Sequence, residues 1–457
     1  MATPLGAETP KQLSLPEFDN QIAPANGSSY FNDPAFANNK VLPIHRWVPW
    51  IAGFSSDFVG DVLARYTSEN ATVLDPFTGV GTTLVEATLS GCNGYGFEIN
   101  PYAALASRVK VNSYKIEASL LEDHIVCFKN FYNDKIKTGD LPLSQPPAGF
   151  KTRSPFYSPK VLNRVLISQD YISSIEERNI GDLFRLAFAS TMISYSNYSY
   201  EPSLGRRVSA GKSEILDYPV GEVIVRKLVE YSEDITWFQS HKSTREIKTK
   251  IIEASFFEYE RYLSPETVDL MVTSPPYLNN YHYNRNTRPQ LYWLGLAQQP
   301  SDFKKLEQAN FGKYWQTVRD QDRVDLDFYA PNSELAQKLE ILRGLKPEKG
   351  IYGGNGWANY AASYFNDCYK FVSGIKYALK PGGAALIVIG NSILQGIMIP
   401  TDQYLGEIAQ NIGLELVQID IPRATRVGNS IIQSDVRTVK AKKSHQLYEA
   451  IVELRRP

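Results

Sequence analysis

The sequence predicts a doubly wound α/β fold that carries a mainly helical insertion and ends in an antiparallel hairpin. Three observations predict it. "ATVLDPFTGVGTTLVEATLSG", "GYGFEIN" and "PYAALASRVKVN" read in succession as strand, glycine turn, helix, strand and helix. The same rhythm resumes much later in "KIIEASFFEYERYLSPETVDLMVTSPPY", as strand, connection and strand. Near the C-terminus "LELVQIDIPR" and "HQLYEAIVELRR" are strand-like and able to pair antiparallel.

In chain order, residues 1–40 read as a flexible N-terminal tail. The start, "MATPLGAETPKQLSLPEF", has neither the basic end nor the apolar core of a secretory signal. Residues 41–114 form the first part of an α/β domain. Within it "HRWVPWIAGFSSDFVGDVLARY" ends as a helix capped by Ser55 or Ser56, with Phe58, Val59, Val62 and Leu63 on one face. Residues 115–249 are mainly helical in pattern, as in "DLFRLAFASTMISYS" and "VGEVIVRKLVEYSEDITWF". A polar loop, "SNYSYEPSLGRRVSAGKSE", interrupts them. Residues 250–280 return to the α/β domain, 281–350 form a second, irregular insertion, and 351–457 complete the domain. That last part reads as the helix "YFNDCYKFVSGIKYAL", a "KPGG" turn, the strand "AALIVIGNS", the helix "PTDQYLGEIAQNIG" and the hairpin. There is no internal repeat.

Composition narrows the class. The 457 residues suffice for a large domain with insertions, and 43% apolar with 21% charged residues is ordinary for a globular protein. No apolar run reaches membrane-span length, so no membrane partner is expected. A net charge of −1 gives no bulk attraction to a polyanion, so a nucleic-acid partner would require a local basic face. Cys92, Cys127 and Cys368 are scattered, with neither metal-ligand spacing nor a disulfide framework. A reducing, cytoplasmic setting and no bound metal are the expectation.

Two segments carry chemistry. In "VLDPFTGVGTT", Gly79 and Gly81 occupy a turn between a strand and a helix N-terminus, where a ligand can approach the backbone. The lysine of a phosphate loop and the third glycine of a dinucleotide fingerprint are both missing. A plain structural turn is therefore the alternative for the glycines alone. Glu98, about twenty residues on at the next strand end, is placed to accept both hydroxyl protons of a ribose; a solvated strand-end acid is the alternative. The second segment, "TSPPY", puts two prolines and an aromatic ring at the end of the apolar run from Val268 to Val272.

Together these segments resemble the S-adenosylmethionine-dependent amino-methyltransferases that modify exocyclic amines of DNA bases. "DPFTGVGTT" matches that family's cofactor motif, "TSPPY" its catalytic motif, and "LKPGGAALIVIGNS" its fifth-strand region. The serine form of the catalytic motif is closest to the N4-cytosine branch; the N6-adenine branch more often has Asp or Asn there. The resemblance implies a Rossmann-like class I methyltransferase sheet, S-adenosyl-L-methionine as cofactor, double-stranded DNA as partner and, in a restriction-modification system, a cognate endonuclease. It implies cofactor contacts from Phe54, Asp75, Pro76, Phe77, Thr78, Gly79, Gly81, Thr82, Thr83, Glu98 and Asn100. It also implies amine acceptors at the Ser274 hydroxyl and the Pro275 carbonyl.

Amine chemistry needs such acceptors. An exocyclic amine is a weak nucleophile because its lone pair is delocalised, and hydrogen-bond acceptors on its N–H groups draw that pair out of conjugation. Pro275 and Pro276 stiffen the loop, and Tyr277 offers a flat face to an extruded base. No cysteine follows a proline, which disfavours a C5-cytosine enzyme. The acid expected after the third strand is absent; "IIEASFF" has Ala254 and Ser255 there, with Glu253 just before. The 115–249 insertion is the natural target-recognition candidate, with a helical brace as its alternative. DNA contacts are expected from its Arg206, Arg207 and Lys212, and from Asn279, Arg285 and Arg288 after the catalytic motif. His282 reads as structural, because direct amine methylation demands no general base. N6-adenine methylation, RNA guanine-N2 methylation and an inactive binding subunit remain open beside the N4-cytosine reading.

Overall fold

The computed structural model describes residues 30–50, 53–68, 70–200, 204–278, 283–328, 333–425 and 447–457. Among them seven strands form one sheet: β1 (Thr72–Asp75), β2 (Asn93–Phe97), β3 (Thr249–Ile252), β4 (Val268–Thr273), β5 (Leu379–Gly390), β6 (Glu415–Thr425) and β7 (Leu447–Arg455). Their spatial order is β6-β7-β5-β4-β1-β2-β3. The five strands β3, β2, β1, β4 and β5 run parallel, and β7 enters antiparallel between β5 and β6. This is the α/β sheet with an antiparallel C-terminal hairpin that the sequence predicts. The order reverses between β1 and β4, and a crevice at the carboxyl ends of strands at such a switch point is where doubly wound sheets bind ligands.

Side-chain alternation assigns the two faces. Val73, Leu270 and Val272 pack under α1 (Ser56–Tyr66), through Phe58, Val59, Val62 and Leu63. Leu74 and Met271 point to the other face, covered by α8 (Gly354–Ala378) and α9 (Thr401–Asn411). Beside α1 lie α2 (Thr82–Leu89) and α3 (Pro101–Asn112). The helical insertion builds outward from them as α4 (Ala118–Thr138), α5 (Pro159–Ser174), α6 (Arg178–Thr191) and α7 (Val220–His241). It shares one apolar core with α2 and α3.

Three local readings change. Residues 1–29 lie outside the described residues, but the rest of the expected tail packs. Phe31 is buried against Phe58, and Arg65 donates to the Tyr30 carbonyl at 2.6 Å. The 281–350 insertion, expected to be irregular, carries helices over Arg288–Trp293, Pro300–Ala309 and Glu334–Arg343. "KPGG" does not end a turn before β5 but lies within it, with a register shift against β4 and Gly382 at φ +81°. No helix among the described residues is long and apolar enough to cross a membrane.

Candidate active site

The glycine turn and the Ser-Pro-Pro-Tyr motif sit at neighbouring strand ends, and one buried carboxylate ties them together. Asp75, the last residue of β1, accepts a 2.6 Å hydrogen bond from the Thr273 hydroxyl and a 3.0 Å bond from the Phe77 amide. Thr273 is the last residue of β4 and immediately precedes Ser274. Burial pushes Asp75 up to about 6, and hydrogen bonds from Thr273, Thr83 and Phe77 oppose the rise. Its other oxygen, Oδ2, is buried without a geometrically defined partner among the described residues. Thr83 also donates to the Val272 carbonyl at 3.3 Å, a second tie between the two segments.

A cleft opens where these ends meet. Pro76, Phe77, Gly79, Glu98, Ser274 and Pro276 form its strand-end wall. Glu98 is held at both oxygens: Gly79 N donates to Oε2 at 2.9 Å and Asn100 N to Oε1 at 2.7 Å. Each oxygen keeps a further lone pair for a guest hydroxyl. Burial pushes Glu98 up to about 7, opposed by those backbone donors and reinforced by the nearby Asp75 charge. Gly79 needs its positive φ of +52°, and a Cβ there would stand 3.3 Å from Trp50 Nε1, inside the same cleft.

Several expected cofactor residues face elsewhere. Gly81, at φ +90°, lies against α3; a Cβ would come within 2.6 Å of Ser107 Oγ and 3.1 Å of its Cα. Its glycine serves helix packing, not ligand approach. Thr78, Thr82 and Thr83 are buried, and the Thr78 hydroxyl closes the turn by donating to the Asp75 carbonyl at 2.9 Å. Phe54 belongs to the core beneath α1, against Phe58. Asn100 borders the cleft, but its side chain is engaged twice over. Its Oδ1 caps α3 at Tyr102 N and Ala103 N, while its amide donates to Thr287 at 2.8 Å and Asn284 at 3.3 Å. It therefore fastens the second insertion to the sheet.

The opposite wall comes from residues that the motifs do not announce. Trp50 and Tyr283 stack with ring centroids 6.0 Å apart. Ala254, Ser255 and Phe257 follow β3, and Asn310 with Phe311 come from the second insertion. Ser255 donates to the Ala309 carbonyl at 3.3 Å, joining the two. Glu253 is half-exposed and faces Arg108 at 3.9 Å. Trp50 follows a strap pinned by Asp234 of α7, which accepts Ile44 N at 2.8 Å, Trp47 Nε1 at 2.8 Å and Arg46 Nη2 at 2.6 Å. Ile44, a β-branched residue at φ +64°, is a strained position that such contacts must hold. The aromatic Trp50, four residues before Phe54, was the available signal, and the cleft takes that ring in place of Phe54.

The loop from Ser274 to Leu278 is held from three sides. The Tyr364 hydroxyl donates to the Pro276 carbonyl at 3.0 Å, Tyr360 donates to the Leu278 carbonyl, and Tyr277 donates to Glu449 Oε1 at 3.2 Å. Pro275 is buried. The Tyr277 ring lies against Gly390 rather than in the cleft wall.

The expected DNA-contacting residues divide. Arg206 and Lys212 are exposed, and Arg207 donates to the Ser213 carbonyl at 2.9 Å. Arg285 is exposed, but Arg288 is occupied, donating to the Lys151 carbonyl at 3.1 Å and resting against the paired Phe150 and Tyr292 rings. Asn279 and His282 lie outside the described residues. The ribbon Tyr198–Tyr200 with Leu204–Arg206 docks on the second insertion: Tyr200 donates to the Asn286 carbonyl at 2.8 Å and Leu204 N to Asn286 Oδ1 at 3.2 Å. Two basic clusters far apart in sequence are thereby neighbours.

A parallel sheet with an antiparallel final hairpin, and a strand-end cleft joining a glycine turn to a Ser-Pro-Pro-Tyr loop, define a methyltransferase. Residues 49–108 match the family model described as DNA methylase. The Type II methyltransferase M.BsoBI of Geobacillus stearothermophilus is 24% identical over 462 residues, spanning 91% of this chain and 87% of that protein. M.AvaI of Nostoc sp. is 23% identical over 429 residues (87% and 84%), and M.MvaI of Kocuria varians 24% over 351 residues (73% and 73%). These likenesses support the DNA amino-methyltransferase family that the sequence resembles. That family implies S-adenosylmethionine as methyl donor, and the cleft fits it. A carboxylate with free lone pairs at the second strand end, a glycine that leaves the backbone open to the cleft, and aromatic walls suit a ribose and its attached base.

Proposed function

We propose that the protein methylates the exocyclic N4 amine of cytosine in double-stranded DNA, as the modification enzyme of a restriction-modification system with a cognate endonuclease. The 2.6 Å bond from Thr273 to Asp75 carries this reading, because it sets the catalytic loop and the cofactor turn as two edges of one cleft. The curated relatives, named as Type II methyltransferases, support the restriction-modification setting. Ser274 in place of Asp or Asn supports cytosine.

In this reading Glu98 accepts the ribose hydroxyls, and Gly79 leaves the backbone open beside them. Phe77, Trp50 and Phe311 enclose the remainder of S-adenosylmethionine, which supplies an electrophilic methyl group. Asp75, Thr83 and Asn100 act as positioning residues. The Ser274 hydroxyl and the Pro275 carbonyl accept the two N–H bonds of the target amine, directing its lone pair toward the methyl carbon. Among the described residues the Pro275 carbonyl accepts no hydrogen bond, whereas the Pro276 and Leu278 carbonyls are held by tyrosines. Exposed Arg206, Lys212 and Arg285 meet phosphates.

The test is incubation with methyl-labelled S-adenosylmethionine and duplex DNA, then digestion to nucleosides. Label in N4-methylcytosine is expected. Label in N6-methyladenine would overturn the choice of base, and label accepted only by RNA would overturn the DNA reading.

A further inference from the structure

We propose that Asn284 completes the cofactor site by donating its side-chain amide to a ribose hydroxyl oxygen of S-adenosylmethionine, while Glu98 accepts the proton of that hydroxyl. This rests on the cofactor reading given above. Asn284 lies on the short helix Tyr283–Asn286, lines the cleft and is only 1% exposed. Its Nδ2 is buried and has no hydrogen-bond partner among the described residues. A buried amide donor without a partner is unfavourable, and a guest oxygen in the cleft would remove that cost. The segment is held on both sides of Asn284. Tyr200 donates to the Asn286 carbonyl and Leu204 N to its Oδ1, and Tyr283 stacks on Trp50.

A chain of hydrogen bonds fixes which end of the Asn284 amide is left over. The first turn of α3 offers only N–H donors, so it takes the oxygen of Asn100. Oδ1 accepts from Tyr102 N at 3.1 Å and from Ala103 N at 3.4 Å. Asn100 keeps its NH2 group, which donates to Thr287 Oγ1 at 2.8 Å and to Asn284 Oδ1 at 3.3 Å. Asn284 must meet that donor with its oxygen, so its own NH2 group remains for a guest. Asn100 also holds the acid, because its backbone N–H donates to Glu98 Oε1 at 2.7 Å. One residue thus sets an acceptor, Glu98, and a donor, Asn284, in the same cleft. A ribose hydroxyl has one proton and two lone pairs, so it can satisfy both at once. A hydrogen atom in its place satisfies neither.

Calorimetry on the full chain without DNA tests this with two ligands. One is S-adenosylhomocysteine; the other is methylthioadenosine, which keeps the ribose and lacks the amino-acid carboxylate. N284A should weaken both about fivefold to tenfold. N284D keeps the oxygen that Asn100 grips but turns the donor into an acceptor, and should weaken both further. T287V removes the other bond of the Asn100 amide and keeps Asn284. It should lower the unfolding temperature and leave both affinities within about twofold of wild type. Unchanged affinities in N284A would overturn the proposal. A loss confined to S-adenosylhomocysteine would overturn the ribose assignment, placing the amide at the amino-acid carboxylate. Matching losses in T287V and N284A would reduce Asn284 to a fastener of its segment. Single-turnover methylation at saturating cofactor should stay within about twofold of wild type in N284A. A slowed rate with unchanged affinity would put the amide on the target base instead. A wild-type protein that binds neither ligand would overturn the cofactor reading and this inference with it. One that binds both but methylates no DNA would overturn only the proposed function.

Discussion

The two walls of the cleft are built by different rules. The strand-end wall is a few short turns whose geometry is fixed by bonds between neighbouring strands: Asp75 to Thr273, Thr83 to Val272, and Gly79 to Glu98. The facing wall gathers Trp50, Tyr283, Asn310 and Phe311 from three segments distant in sequence. Each of these depends on a remote anchor, Asp234 for the Trp50 strap, Asn100 for the segment around Asn284 and Asp367, which accepts from Gly312 N, for the segment of Phe311. The first wall is rigid because the sheet is rigid. The second is only as fixed as its anchors, so substitutions in the first should cost stability or affinity according to whether the residue faces the packing or the cleft, while those in the second should act mainly through affinity.

The sharpest break between stability and affinity lies within a single turn. Gly81→Ala pushes a methyl group into Ser107 at 2.6 Å from a residue already at φ +90°. It should destabilise the protein by about 2–4 kcal/mol, read by denaturant unfolding. Gly79→Ala meets only the Trp50 indole at 3.3 Å, and its φ of +52° is one that alanine tolerates at about 1–2 kcal/mol. Its main effect should be weaker cofactor binding. Equal unfolding midpoints for the two variants would erase the distinction between them.

That turn also shows how much of the molecule was legible in the sequence. The strand-turn-helix rhythm, the hairpin and the nearness of Gly79, Glu98 and Ser274 all follow from local pattern. Local pattern does not say which members of a motif face the ligand. Thr78, Thr82, Thr83 and Gly81 satisfy the turn and its packing, and only the third dimension separates them from Phe77 and Gly79. Phe311 and Asn310 were not legible as site residues because they reach the cleft from an insertion through long-range packing, and Trp50 carried only the faint signal of an aromatic ring near Phe54. Arg288 differs from the expectation because a free guanidinium and one resting against Phe150 and Tyr292 look alike in sequence.

The next largest effect concerns Glu98. Its folded value of about 7 lies above the usual range for a glutamate, so protonation is favoured in the folded state. Its contribution to stability is therefore fully present at acid pH and falls away as pH rises through 7. Cofactor binding runs the other way, because the carboxylate accepts ribose protons best when ionised. Affinity should weaken about tenfold between pH 8 and pH 6, and Glu98→Gln should abolish most of that slope while binding about tenfold more weakly at pH 8. Calorimetric titration at several pH values measures both. An unchanged slope in the glutamine variant would remove Glu98 from the ribose.

On the facing wall, Trp50→Ala should weaken cofactor binding by about fivefold to tenfold through lost ring contact, with the rate of bound complexes little changed. Asp234→Ala tests the anchor without touching the cleft. It frees Ile44 N, Trp47 Nε1 and Arg46 together, and should reproduce the Trp50→Ala affinity loss in addition to a lower unfolding temperature. If Asp234→Ala lowers stability and leaves affinity intact, the strap is a brace and Trp50 finds its place without it.

The smallest effects are expected at the rim, where the two basic clusters meet. Arg206 and Arg285 are exposed and far from any strain, so replacing either with alanine should leave unfolding unchanged. Each should weaken DNA binding uniformly across sequences, and each should lower the steepness of the salt dependence by about one phosphate contact. Arg288 supplies the contrast. Its guanidinium sits 5.6 Å from the Phe150 centroid and 5.5 Å from that of Tyr292, and it donates to the Lys151 carbonyl. Arg288→Ala should therefore lower stability by about 1 kcal/mol and leave the salt slope as it is. Filter binding of a duplex over a range of salt concentrations separates the cases. A reduced slope in Arg288→Ala, or none in Arg206→Ala and Arg285→Ala, would place the DNA on another face of the protein.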